Sequence, residues 1–130
     1  MFTKEFIELA KDKRIQELRP ELQLGDWYYM TVAEEFILVD EGWFEDCKKL
    51  FNNEIWLPTG DQLTREILKR CYTYNLNLEC FSEHYCKKPN CQKWGISIEA
   101  DNHVVNHELN REVWDEDILV AKLKLLLELL

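Results

Sequence analysis

Apolar residues near the start of the chain recur at helical spacing. Phe2, Phe6 and Leu9 fall at i, i+4 and i+7, and Ile15, Leu18 and Leu22 resume the pattern with a shifted phase. The phase change near Asp12 predicts two short helices between Lys4 and Leu18 rather than one straight rod. Pro20 closes the stretch, because proline cannot donate the next helical hydrogen bond. Leu24-Gly25-Asp26 reads as a turn into Trp27-Tyr28-Tyr29-Met30-Thr31-Val32, a run of aromatic and β-branched residues. Phe36-Ile37-Leu38-Val39 is a second such run, and the two predict a β-hairpin connected near Ala33-Glu34. Asp40 to Asn53 has no clean period, and a short helix over Glu45 to Leu50 fits part of it. Glu54 to Leu57 reads as a short strand that Pro58 ends.

In the second half, Thr59 or Asp61 can cap a helix to about Tyr74, with Leu63, Ile67, Leu68 and Cys71 on its apolar face. Leu76 to Phe81 and Trp94 to Glu99 alternate in strand fashion. Asp101-Asn102 reads as a turn, and His103 to Leu109 as a third strand. A leucine-rich helix closes the chain. Asp115 is its expected N-cap, Trp114 and Leu119 stand at staple spacing, and Ile118, Ala121, Leu125 and Leu129 share one face. The expected fold class is therefore α+β: N-terminal short helices and a β-hairpin, then a helix–three-stranded antiparallel sheet–helix sandwich.

Composition narrows the picture. The chain has 130 residues, enough for one core and short for two, and its five tryptophans are spread along its length, so a single domain over residues 1–130 is expected. No segment reaches the roughly 20 apolar residues of a membrane span, and the start does not read as a secretory signal. The expected location is the cytoplasm, where the five cysteines would be reduced thiols.

The net charge of −9 is unevenly placed. Ten acidic side chains against two lysines occupy Glu21 to Asp61, and seven against Arg111 alone occupy Glu99 to Asp117. Six basic side chains against three acidic ones lie between Gln62 and Ile98. Such a surface repels polyanions, which argues against nucleic acid as the partner.

Candidate chemistry is sparse. Cys80, His84, Cys86 and Cys91 are four potential zinc ligands spaced C-x3-H-x-C-x4-C. His84 and Cys86 would share a strand face, and the turn before Cys91 would bring its sulfur toward that of Cys86. The spacing matches no standard knuckle or ribbon, so separate cysteines beside a surface histidine are the preferred reading, with no cofactor. His103 and His107 lie four apart, but Arg111 stands where an H-E-x-x-H motif needs its second histidine. The four glycines are isolated, so no phosphate-cradling loop exists, and no G-x-S-x-G elbow occurs. These absences predict a non-enzymatic protein. The run Trp27-Tyr28-Tyr29 with Trp43-Phe44 is part core by strand alternation, and any exposed half would suit a protein contact.

Two resemblances add to this. The segment Leu24-Gly25-Asp26-Trp27 and the later Ile55-Trp56-Leu57-Pro58-Thr59-Gly60-Asp61-Gln62-Leu63 resemble a family of small proteins encoded by phages and prophages of Gram-positive bacteria, over the first half to two thirds of the chain. In physical terms the second segment is a strand end, a stop and a helix start. The α-β-β-β-α order also resembles the double-stranded RNA-binding fold. That fold meets phosphates with lysines at its last helix, where this chain has Asp115-Glu116-Asp117.

The negative charge, the lack of a catalytic signature and the resemblance to phage proteins together lead to the expectation of an accessory protein in the cytoplasm of a bacterial host cell that works by binding another protein, in one concrete form a host-directed or anti-defence inhibitor. The acids Asp101, Glu112, Asp115, Glu116 and Asp117, with Glu34 and Glu35, are its expected contact residues. The alternative is a small zinc-stabilised module.

Overall fold

The computed structural model describes residues 2–45, 54–73, 77–102 and 107–130. It is mixed helix and strand, with two three-stranded antiparallel sheets and four α-helices among the described residues. The backbone divides into two compact units, Met1–Thr59 and Gly60–Leu130.

In the first unit, α1 spans Lys4–Ala10 and α2 spans Lys13–Gln16. Thr3 caps α1 by accepting the Phe6 N–H, and Asp12 caps α2 by accepting the Arg14 N–H. The phase break in the sequence is thus a real helix start. Strands β1 (Trp27–Met30), β2 (Glu35–Leu38) and β3 (Ile55–Leu57) form a sheet in the order β2-β1-β3. Tyr28 pairs with Ile37 on one side and Trp56 on the other, and all three are buried. The Gly25-Asp26-Trp27 segment has an architectural role. Gly25 takes φ +91°, which only glycine adopts freely, and its N–H donates to Val39 O at 2.8 Å. Asp26 is buried and accepts the Gln23 N–H at 2.9 Å. Gln16 then ties α2 to β3: its side-chain amide donates to Trp56 O and accepts from Trp56 N, both at 2.9 Å. A short 3-10 helix covers Glu41–Trp43; the helix expected over Glu45 to Leu50 falls, beyond Glu45, outside the described residues.

In the second unit, α3 (Gly60–Thr73) begins just after Pro58, as the stop-and-start reading of that segment expects, and buries Leu63 and Ile67. Strands β4 (Asn77–Tyr85), β5 (Trp94–Asn102) and β6 (His107–Asp115) form a sheet in that order. The inner face carries Ile96, Ile98, Ala100, Leu109 and Val113, all buried. Helix α4 (Ile118–Leu129) packs on β5, β6 and α3. It buries seven of its residues, Lys122 among them, so its leucines serve the core of the chain itself.

Three sequence expectations are corrected here. Asp101-Asn102 is not a turn: β5 runs through Asn102, paired with His107. Ladder pairing overrides the local turn preference of Asp and Asn. The described part of the third strand runs from His107 to Asp115, past the expected end at Leu109, while His103 to Asn106 of that expectation lie outside the described residues. The N-cap of the last helix is Asp117, whose carboxylate accepts the Leu119 and Val120 N–H groups, while Asp115 remains in the sheet opposite Trp94. Trp114 is therefore a strand residue on the outer face and forms no staple with Leu119.

Candidate functional site

Strand alternation places Ser82, His84, Gly95, Ser97, Glu99, Asn110, Glu112 and Trp114 on the outer face of the second sheet. Cross-strand register sets three rows on this face: Glu99–Asn110, Ser82–Ser97–Glu112 and His84–Gly95–Trp114. The third row is the most closely built. The His84 and Trp114 rings meet edge to face over Gly95, with centroids 4.8 Å apart and planes at 77°. A Cβ at Gly95 would lie 2.7 Å from His84 Nε2 and 2.8 Å from two carbons of the Trp114 ring. Glycine is therefore required for the rings to approach the strand this closely.

Hydrogen bonds along the strands orient both rings. Trp114 Nε1–H donates to Glu112 Oε1 at 2.6 Å, and His84 Nδ1 lies 3.2 Å from Ser82 Oγ. Trp114 remains 38% exposed. Next to it, Ser97, Glu99, Asn110, Arg111 and Glu112 help line a depression of about 240 Å³. The exposed indole, two exposed carboxylates and small polar side chains can together receive a cationic side chain, through charge attraction and the ring's negative face, with Arg111 as an opposing positive charge among the lining residues.

The expected contact acids divide into two kinds. Glu112 and Glu116 are exposed, and Asp101 sits on β5 opposite Glu108. Asp115 and Asp117 are committed within the fold. Asp115 accepts from Lys124 Nζ at 2.8 Å and from the Asp117 N–H at 3.0 Å. Partial burial alone would raise its pKa; these two donors and the Lys124 charge outweigh that and leave it below the ordinary aspartate value. Glu34 and Glu35 lie in the other unit, exposed at the hairpin turn, with Glu34 at a left-handed φ of 53°. Beside them Phe2, Trp27, Tyr29 and Phe36 form an aromatic cluster with ring centroids 5.5–6.0 Å apart. Phe36 is 46% exposed, so the hairpin keeps part of this cluster at its surface while Tyr28 points into the core. The Trp43 side chain lies outside the described residues, and Phe44 is half-buried.

Of the four candidate zinc ligands, two come together. The Cys91 thiol hydrogen-bonds to the Cys86 sulfur, and both are free thiols. His84 is turned to Ser82 and Trp114, and Cys80 is placed only by its strand register. Among the described residues no three His, Cys, Asp or Glu side chains gather. No described helix is long and apolar enough to cross a membrane.

Sequence reading had singled out His84, Glu112 and the cysteines but not Gly95, Ser82, Ser97 or Asn110, and it had given Trp114 another role. The one available signal was an isolated glycine inside a strand, which marks a close approach. Compared with protein-family models, curated proteins and solved structures, the chain matches none.

Proposed function

We propose that this is a non-enzymatic protein-binding protein whose outer sheet face receives a lysine- or arginine-bearing segment of its partner. The observation that carries the reading is the Trp114 indole, half-exposed and hydrogen-bonded to Glu112, beside a depression to which Glu99 contributes. A net charge of −9 supports the sign of the partner and disfavours nucleic acid. In fold terms the proposal takes Gly60–Leu130 as the expected helix–sheet–helix sandwich, supported by α4 packing on β5, β6 and α3. The phage accessory role, in its host-directed or anti-defence form, rests on the two resembling sequence segments and belongs to the same proposal. A zinc-stabilised module would need four ligands, and two are gathered among the described residues.

The test is fluorescence polarisation of labelled lysine- and arginine-rich peptides against the full chain, with glutamate-rich peptides and single-stranded DNA as controls. The cationic peptides should bind, more weakly as salt rises, and Glu112→Lys should abolish binding. Glu116 is the other acid suited to charge reversal, because Asp115 and Asp117 have structural bonds. Equal binding by Glu112→Lys, or preference for the DNA, would end the proposal.

A further inference from the structure

We infer that Cys86 and Cys91 form a reactive dithiol site that small-molecule disulfides, such as glutathione disulfide, convert to a reversible intramolecular disulfide. The site lies in the β4–β5 connection and does not depend on the binding reading above. Backbone bonds hold the two cysteines in register. Cys86 N–H donates to Lys93 O at 2.9 Å, where the strands part, and Cys91 N–H donates to Lys88 O at 3.0 Å, closing a tight turn. Gln92 follows at a left-handed φ of 47°, which turns the chain back into β5. The two thiols are thereby neighbours close enough to shift each other's pKa, while both residues stay partly open to solvent. A disulfide requires Cβ atoms about 3.5–4.5 Å apart, and the backbone bonds of this short turn hold the two cysteines as neighbours.

The surroundings divide the labour between the thiols. Cys86 accepts the Cys91 S–H and the Lys88 backbone N–H and sits near the Lys88 ammonium, which together hold its pKa below the ordinary thiol value. Cys91, as donor and with some desolvation, lies above it. Cys86 is therefore the attacking thiolate and Cys91 the resolving thiol. Lys87, Lys88 and Lys93 give the loop a positive charge that suits anionic glutathione.

In the first step, Cys86 loses its proton to water and attacks one sulfur of glutathione disulfide. A mixed disulfide forms, and one glutathione thiolate leaves. In the second, Cys91 loses its proton to water, attacks the Cys86 sulfur and expels the other glutathione. Two protein thiols are oxidised, and one small disulfide is reduced to two thiols.

The experiment treats the reduced full chain with glutathione disulfide, alkylates the remaining thiols and digests with trypsin. Cleavage after Lys87 separates Cys86 from Cys91, so the expected product is peptide Cys71–Lys87 joined to Lys88–Lys93, with fragmentation placing the link at Cys86. Cys91→Ser should stop at the mixed disulfide on Cys86. Cys86→Ser should leave Cys91 reacting on the order of tenfold more slowly than Cys86 does. Cys91→Ser reads the first step whether or not Cys86→Ser folds. Independent alkylation of both cysteines, a link from Cys91 to Cys71 or Cys80, or stoichiometric zinc holding both thiols would overturn the inference.

Discussion

Gly95→Ala places a methyl group where two rings already meet. The added carbon would stand 2.7 Å from His84 Nε2 and 2.8 Å from Cζ2 and Cη2 of Trp114, closer than carbon and nitrogen atoms tolerate. In an ordinary strand the same change is favourable, since glycine costs about 0.5–1 kcal/mol against alanine through backbone entropy. Crowding of this kind costs about 1–3 kcal/mol. The rings are partly exposed and can swing, but only by giving up the edge-to-face contact and pulling the indole away from Glu112. The balance is a net loss of about 1–2 kcal/mol, or a urea midpoint lower by roughly 0.5–1 M, followed by far-UV circular dichroism. In a background of His84→Ala with Trp114→Ala the obstruction is gone, and Gly95→Ala should become neutral or stabilising. A Gly95→Ala variant as stable as the parent, with both rings present, would refute the close-packed geometry of this row.

Further outcomes follow from other contacts. Lys122 is only 7% exposed and its ammonium lies 2.7 Å from Glu83, so Glu83→Ala should cost about 2–3 kcal/mol by stranding a buried charge, while Lys122→Met should be near neutral in urea unfolding. Asp115 has a lowered pKa in the folded chain, so its contribution is present above the unfolded value and disappears as pH falls through the folded one. Acid titration of stability should therefore show a shallower loss below about pH 4 in Asp115→Asn than in the parent, and an unchanged slope would contradict the assignment. A single domain over residues 1–130 predicts one thermal transition, coincident by tryptophan fluorescence and circular dichroism; two resolved transitions would make Met1–Thr59 and Gly60–Leu130 separate cooperative units.

Much of the backbone was legible in the sequence because local signals agreed with tertiary packing. The phase break at Asp12 is a helix cap, Gly25 is a left-handed turn, and Pro58 separates β3 from α3. Sequence reading failed where a long-range ladder outweighed a local preference. Asp101-Asn102 has strong turn chemistry, yet pairing of Asp101 with Glu108 and Asn102 with His107 extends both strands. Asp115 and Asp117 are equally good caps by residue type, and only the pairing of Asp115 with Trp94 decides between them. Along β6, Arg111 interrupts the alternation of Leu109 and Val113, which hides the strand's length.

The site was less legible for the same reason. His84 and Trp114 lie 30 positions apart, and each pairs with Gly95 from opposite sides. Nothing in their local sequence announces that meeting. Lys122 likewise interrupts an apolar helix face, and its burial makes sense only beside Glu83. The turn from Cys86 to Cys91 was readable because its geometry is local.

The indole N–H resonance of Trp114, assigned through its loss in Trp114→Phe, offers the most direct probe of a cation-binding face. Titrating the 15N-labelled chain with an arginine- and lysine-rich peptide should move that resonance saturably, and Glu112→Gln should suppress the movement. A Trp114 signal that stays fixed while the peptide binds elsewhere, or that moves only with an oligonucleotide, would contradict the assignment of this face.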